Sequence, residues 1–368
     1  MDFNLSKEQE LLRDGLSKFL SSRYDLATSR AAAKTGAGWQ PEIWASFADE
    51  LGILAAPLPE RAGGLGGGAV EVMVIAEALG HALVVEPYVN TVVVAGGLLD
   101  RAGGERADAV IAGIADGTAV VALADDDGDG TTAAREGDDW VLTGSKTVVV
   151  DAPLATHLLI AARTDGGISL FLTEFEATAP PPGITVHAYR TIDDRQAADL
   201  VFEGLRLPAD ALLGETGHAG PSLARARDEG AAAVCCEAVG GMRKVLADTV
   251  EYAKQRHQFG QPIGSFQVLQ HRMVDMYMEV EQAVAACFLA VLNLDADENT
   301  RARAVSAAKA TIGRAARFVG QNAVQLHGGM GMTEELAIGH YFKRLTAIQY
   351  EFGTTDSHLT RYAALTSS

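Results

Sequence analysis

The chain has 368 residues, 48% of them hydrophobic but only 6% aromatic, so it can bury two or three cores built mainly from Ala, Val and Leu. Its 48 acidic residues against 30 basic ones give a net charge of −18, which excludes nucleic acid and anionic membrane surfaces as partners but not a local basic pocket for a phosphate. The three cysteines, Cys235, Cys236 and Cys287, give no disulfide framework and read as buried free thiols in a reducing cytoplasm, and no apolar run resembles a signal peptide or a membrane span.

Residues 1–22 predict an amphipathic helix, with Ser6 as N-cap, Glu8 and Glu10 in the first turn, and Leu11, Leu12, Leu16, Phe19 and Leu20 at helical spacing. A second helix is expected over Trp44–Leu51, stopped by Gly52. The segment P-L-P-E-R-A-G-G-L-G-G-G from Pro57 to Gly68 reads as a loop. Helical period resumes over Val70–Gly80 and Asn90–Leu99, so residues 1–117 form a mostly helical domain.

The pattern changes at the β-rich run Ala119–Leu123. Trp140–Thr143 and Thr147–Val150 flank Gly144-Ser145-Lys146, a hairpin signal. Four further strands are expected at His157–Ala162, Ile168–Thr173, Ile184–Tyr189 and Ala198–Phe202, with turns at Gly128–Gly130 and Pro180–Gly183. Residues 118–216 therefore predict a middle β domain, a barrel or sandwich. Helices return over Ala231–Arg256, Phe266–Leu294 and Ala302–Leu326, giving a C-terminal helical domain over residues 217–368. The fold class is mainly α with a central β domain. No His or Cys pair has metal spacing, and neither His340 nor the acids Asp125, Asp126 and Asp127 make a metal site.

Val324–Thr354 carries the densest pattern. A helix runs into Gln325-Leu326-His327-Gly328-Gly329, and the paired glycines bare backbone that a pyrophosphate could approach closely. Taken alone, the same glycines also describe a helix C-cap and tight turn. A second helical run is expected over Glu334–Ile348, ending at Phe352-Gly353-Thr354. Between the first two long C-terminal helices, Arg256 is followed by His257-Gln258-Phe259-Gly260-Gln261-Pro262-Ile263-Gly264-Ser265-Phe266-Gln267.

The motifs R-x-x-F-G-x-x-I-x-x-F-Q and Q-x-H-G-G-x-G together resemble the acyl-CoA dehydrogenase family. The P-L-P-E-R-A-G-G-L-G loop, W-x-L-T-G-x-K in the β region and Leu205-Arg206-Leu207-Pro208 agree, and the resemblance covers essentially the whole chain. It implies an N-terminal helical domain, a middle β-barrel or sandwich and a C-terminal four-helix bundle, in oligomers. It implies FAD, an acyl-CoA substrate and an electron-transfer flavoprotein or similar acceptor. Carried over by position, Arg256, Gln258, Phe259, Gln267, Gln325, Gly328, Gly329 and Thr354 would be cofactor-binding, mostly at the ADP half of an FAD held by a neighbouring subunit. Permanently charged Arg256 can fork to a pyrophosphate and Phe259 can pack on the adenosine.

Three features of the resemblance are missing. The family's carboxylate base stands immediately before the terminal G-T or, in some members, near the start of the first bundle helix. Those positions are Phe352 and Gly230 here, leaving Glu351 and Glu229 each one residue displaced. Glu229 reads as a solvated acid among Arg225, Arg227 and Asp228. The segment expected to hold the flavin ring is Leu123-Ala124-Asp125-Asp126-Asp127-Gly128-Asp129-Gly130, whose carboxylates would repel a reduced flavin. A flavin-covering tryptophan after G-x-K is replaced within Thr147–Asp151.

The resemblance thus implies the supporting, non-catalytic subunit of a heteromeric acyl-CoA dehydrogenase. The alternatives are a self-sufficient dehydrogenase with Glu351 or Glu229 as a displaced base, and a non-enzymatic acyl-CoA or flavin binding module. The helix faces of Met273, Met276, Tyr277 and Val280, and of Ile312, Phe318 and Val319, are expected to build an intersubunit core.

Overall fold

The computed structural model describes residues 5–125 and 130–367. Asp126, Asp127, Gly128 and Asp129, with most of the turn expected there, lie outside the described residues.

Helix α1 spans Lys7–Arg23, and Ser6 caps it as the sequence predicts. The Ser6 hydroxyl accepts from the Gln9 amide at 3.2 Å, and the Gln9 side chain accepts from the Ser6 amide at 2.9 Å, a reciprocal capping box. Helix α2, Leu26–Thr35, has no apolar stripe to announce it and buries only Ser29, Arg30 and Ala33. Helices α3 (Pro41–Asp49) and α4 (Ala69–Ala82) follow. A π-helical segment, Val89–Ala95, leads into α5 (Gly96–Ala102), and then comes α6 (Glu105–Ala115). The strands are β1 (Val121–Ala124), β2 (Thr132–Glu136), β3 (Asp139–Val150), β4 (His157–Thr164), β5 (Gly167–Glu174), β6 (Ile184–Arg190), β7 (Gln196–Leu207) and β8 (Leu212–Leu213). Next come α7 (Gly220–Gln255), the short strands β9 (His257–Gln258) and β10 (Gln261–Pro262), α8 (Gln267–Val291), α9 (Glu298–His327), α10 (Ile338–Ile348) and α11 (Thr355–Ser367).

Two compact units emerge. One holds Ser29–Gly68 and Val85–Gly230. Its sheet has eight strands in the order β6-β7-β3-β2-β4-β5-β8, with β1 pairing β4 in parallel. Trp140 packs edge-on to Phe171 at 5.3 Å in a core shared with Leu158, Ile160, Leu200 and Phe202. The hairpin expected around Gly144-Ser145-Lys146 does not form. Residues 139–150 are one strand that bends instead of reversing, with register shifts against β7 at Leu142/Thr143 and Lys146/Val149. Gly144 permits the bend: its φ is +132°, and a Cβ there would meet the Gly130 carbonyl oxygen at 2.4 Å.

The other unit holds Met1–Thr28, Ala69–Val84 and Ala231–Ser368. Here α4 crosses α7 with backbones nearly touching. A Cβ on Gly80 would meet the Glu237 carbonyl oxygen at 2.0 Å, and one on Gly240 would meet that of Glu77 at 1.9 Å. Helix α9 forms the centre, with α8, α10 and α11 against it. Its buried face is rich in alanine, including Ala308, Ala315, Ala316 and Ala323, which lets its neighbours approach closely. Met276, Val280, Ile312 and Val319 are buried within this unit and belong to its own core, whereas Met273 and Phe318 on the same expected faces are half-buried. On α8, Val274, Tyr277 and Met278 face outward, each 53% exposed. Helix α10 begins at Ile338, not Glu334, because Thr333 closes a turn on Met330 through its amide at 3.2 Å and its hydroxyl at 2.9 Å.

Candidate cofactor and active site

The arm between α7 and α8 is closed at its base and open at its tip. The Arg256 amide donates to the Tyr252 carbonyl at 2.8 Å, and the Ile263 amide donates to the Arg256 carbonyl at 2.7 Å. Strands β9 and β10 pair antiparallel, with Gln258 opposite Gln261. The residues between them, Phe259 and Gly260, both have positive φ, +55° and +82°, as a type I′ turn requires. Asn or Gly is usual at the first of these positions. Here a phenylalanine takes the left-handed conformation and stands 92% exposed, steadied by an edge contact from Phe266 at 6.1 Å. The exposed Arg256 guanidinium makes no hydrogen bond or ion pair with any described residue. Gln258 and Gln267 are also exposed.

The glycine turn is built next to this arm. Helix α9 ends at His327, and Gly328, with φ of +59°, turns the chain into a short 3-10 segment reaching Met332. The His327 ring stacks on Tyr252 at 4.3 Å, and the Tyr252 hydroxyl reaches the His327 carbonyl at 3.4 Å. One contact therefore joins the end of α7, carrying Arg256, to the end of α9, carrying Gln325, Gly328 and Gly329. His327 Nδ1 lies 2.8 Å from the Ala323 carbonyl, so that nitrogen carries the proton. Burial holds its pKa below the ordinary 6.5, opposed by the Ala323 bond and the charge of Asp248. Gln325, Gly328 and Gly329 are all exposed. An outward cation, bared backbone and a projecting aromatic ring can together take a phosphate and a flat base.

The terminal turn is held separately. Phe352 and Gly353 have φ of +53° and +106°, and the Thr354 hydroxyl accepts from the Ser357 amide at 3.1 Å as the N-cap of α11. Glu351 does not face solvent as a free carboxylate. Arg344, only 6% exposed, donates from Nη2 to Glu351 Oε2 at 3.1 Å and from Nη1 to Glu351 Oε1. The same guanidinium forks onto buried Glu237 at 2.7 and 2.9 Å. Sequence reasoning missed Arg344 and Glu237. The available signal was two opposite charges on otherwise apolar helix faces.

Glu229, in the other unit, is also committed. Its oxygens accept from Arg101 Nη1 at 2.9 and 3.0 Å and from Arg225 Nε at 2.9 Å, with the side chain 14% exposed. The expectation of a solvated acid is thus corrected: Arg101, distant in sequence, covers it. Of the acidic run after Leu123, Asp125 is described and bonds Arg227 Nε at 2.7 Å. Asp151, in the stretch where the tryptophan is missing, is buried and accepts from Asn90 at 2.7 Å. No described group of three or more His, Cys, Asp or Glu residues could hold a metal, and no described helix is long and apolar enough to cross a membrane.

Known proteins share this plan. The models of the acyl-CoA dehydrogenase N-terminal, middle and C-terminal domains match residues 6–118, 117–205 and 223–365. Acyl-CoA dehydrogenase FadE27 of Mycobacterium tuberculosis is 31% identical over 336 residues, covering 87% of this chain and 86% of FadE27. A chain of the ChsE4-ChsE5 complex from Mycobacterium tuberculosis superposes with a TM-score of 0.92 at 27% identity, covering 100% of this chain and 99% of that one. The FAD complex of PigA superposes with a TM-score of 0.88 at 25% identity, covering 100% and 99%. With that identity over that length, on that fold, the chain belongs to the acyl-CoA dehydrogenase family of FAD-dependent oxidoreductases.

Proposed function

We propose that this chain is the supporting subunit of a heteromeric acyl-CoA dehydrogenase, contributing the ADP half of the FAD site to a related catalytic partner. The observation that carries this reading is Phe259, 92% exposed and left-handed at the tip of an otherwise well-formed arm. A monomer gains nothing from holding an aromatic ring in solvent in a disfavoured conformation, whereas a partner's adenosine would cover it. Arg256, without an ion pair among the described residues, would supply charge to the pyrophosphate. Gln258, Gln267, Gln325, Gly328, Gly329 and Thr354 complete the proposed contacts. The ChsE4-ChsE5 neighbour, a complex of two named chains, supports a hetero-oligomer, which we infer to be a heterotetramer.

The chemistry that bound FAD supplies is acceptance of the β-hydrogen of an acyl-CoA as hydride, with an electron-transfer flavoprotein or similar protein as onward acceptor. This chain's own residues bind and orient; in this reading they take no proton. Glu351 is tied to Arg344, and Glu229 to Arg101 and Arg225. The division at residues 117 and 216 into helical, β and helical domains belongs to the same proposal. So does a cytoplasmic setting, for which the three buried free thiols speak.

Colour tests the reading. The purified chain alone should carry no flavin, and a tagged copy should draw a second acyl-CoA dehydrogenase-like chain from its native host and become yellow with it. A yellow, active preparation of this chain alone would favour a self-sufficient dehydrogenase instead.

A further inference from the structure

Lys309 lies in the middle of α9 with 1% of its surface exposed. It falls on the same stripe as Val305 and Ile312, where an apolar residue would be expected. An ammonium has three donors and no acceptor, and here all its bonds go to one segment. Nζ donates to the carbonyls of Ile348 at 2.8 Å, Gln349 at 3.4 Å and Gly353 at 2.8 Å. Ile348 ends α10, where carbonyls lack intrahelical partners and the helix dipole is negative. Gly353 lies on the far side of the turn. The ammonium therefore clamps the two sides together.

The turn needs a clamp because Phe352 and Gly353 are consecutive left-handed residues, a conformation a phenylalanine adopts only under constraint. A second anchor comes from His358 of α11. Its Nε2 lies 2.9 Å from the Phe352 carbonyl and its Nδ1 lies 3.3 Å from the Ser306 hydroxyl. With a carbonyl on one side, Nε2 carries the proton and Ser306 donates to Nδ1. At Gly313 a Cβ would meet the Thr355 hydroxyl at 2.5 Å. Positions 306, 309 and 313 thus form one stripe of α9 facing the terminal turn. Charge is balanced around it, with Lys309 and Arg344 set against Glu237 and Glu351.

Phe352 stands where a carboxylate base would be, so rigidity here does not serve to aim a base. We propose that Lys309 is a positioning residue for cofactor binding. Through the carbonyls of Ile348, Gln349 and Gly353 it sets the Phe352–Gly353–Thr354 turn in the shape that presents Thr354 to FAD. This rests on the reading of Thr354 and the Arg256 arm as FAD contacts.

Lys309→Met keeps the length and apolar stem of the side chain and removes its donors. FAD affinity and hydrogen exchange are measured on the protein purified with the subunit that accompanies it, with Arg256→Ala as the reference for cofactor loss. Lys309→Met should weaken FAD binding about tenfold, speed exchange of amides 350–354 and change the visible circular dichroism of bound flavin, while α9 exchanges as before. Normal FAD affinity in Lys309→Met, when Arg256→Ala releases FAD, would overturn the positioning role and leave the arm reading standing. Normal affinity in both would overturn both. Faster exchange throughout α9 and α10 would mean general loosening and would also overturn the role. If Lys309→Met does not fold, Lys309→Gln, which keeps an amide donor, is judged by the same criteria.

Discussion

Glu351 stands one residue before the position where a base would act, and both its oxygens face Arg344. A general base must reach its substrate proton and typically contributes 10²–10⁴-fold. A carboxylate pinned across a guanidinium is poorly placed for that role. Glu351→Gln should therefore change turnover of the assembled enzyme by less than about tenfold, while lowering stability by roughly 1–2 kcal/mol through the weakened charge-assisted bonds. Glu229→Gln should act likewise through Arg101 and Arg225. Flavin bleaching by an accepted acyl-CoA and a denaturation curve read the two effects. A several-hundred-fold drop for Glu351→Gln, with FAD content intact, would make Glu351 a displaced base. The turn of the arm was legible in the sequence because Gly260 and Pro262 mark it locally, whereas the roles given to Arg256 and Phe259 came only from the resemblance. Arg344, Glu237 and Lys309 were not legible, since their roles arise only when helices distant in sequence pack together.

At the scale of elements, glycine carried two opposite meanings that periodicity could not separate. Gly144 suggested a hairpin and instead bends a continuous strand, because the neighbouring backbone at Gly130 leaves no room for a side chain. Gly80 and Gly240 sit inside helices with no turn at all, and mark where α4 and α7 touch. Replacing glycine by alanine within a helix gains roughly 1 kcal/mol from propensity. At Gly240 that gain meets a contact of 1.9 Å with backbone, which cannot yield as a side-chain tip would. Overpacking costs about 1–3 kcal/mol and sometimes more, so the clash wins and Gly240→Ala should destabilise the protein. Gly15 of α1 is the control: it is exposed and has nothing within 4 Å of a built Cβ. Gly15→Ala should stabilise by about 0.5–1 kcal/mol. Equal effects at the two positions in denaturant melts would show that the α4–α7 crossing is looser than these distances. Helices α2, α6 and α11 escaped the sequence reading, α2 because its buried side is largely polar and has no stripe to detect.

Across the whole molecule, protonation links stability to pH in both units through histidines that the fold partly or wholly shields from water. His327 in one unit and His157 in the other have pKa values lowered from 6.5, in each case first by burial. For His157 the charge of Glu174 opposes the shift and that of Arg106 adds to it. Both rings are neutral in the fold and protonate near 6.5 once unfolded. Between 6.5 and the lower folded values the unfolded chain binds more protons, so stability rises with pH in that window and falls as pH drops through it. Denaturant midpoints should therefore decline as pH is lowered from about 7 towards 5, before the carboxylates titrate. His327→Gln should remove its own part of the slope and leave the parts due to His157 and to His81, whose pKa is likewise lowered first by burial. The same variant loses the ring that stacks on Tyr252, so it should also separate the arm from the glycine turn and speed amide exchange at residues 256–263. A midpoint that is flat over this pH range in the unaltered chain would mean that neither histidine is kept neutral by the fold, and that the contact joining the two cofactor motifs tolerates a charged ring.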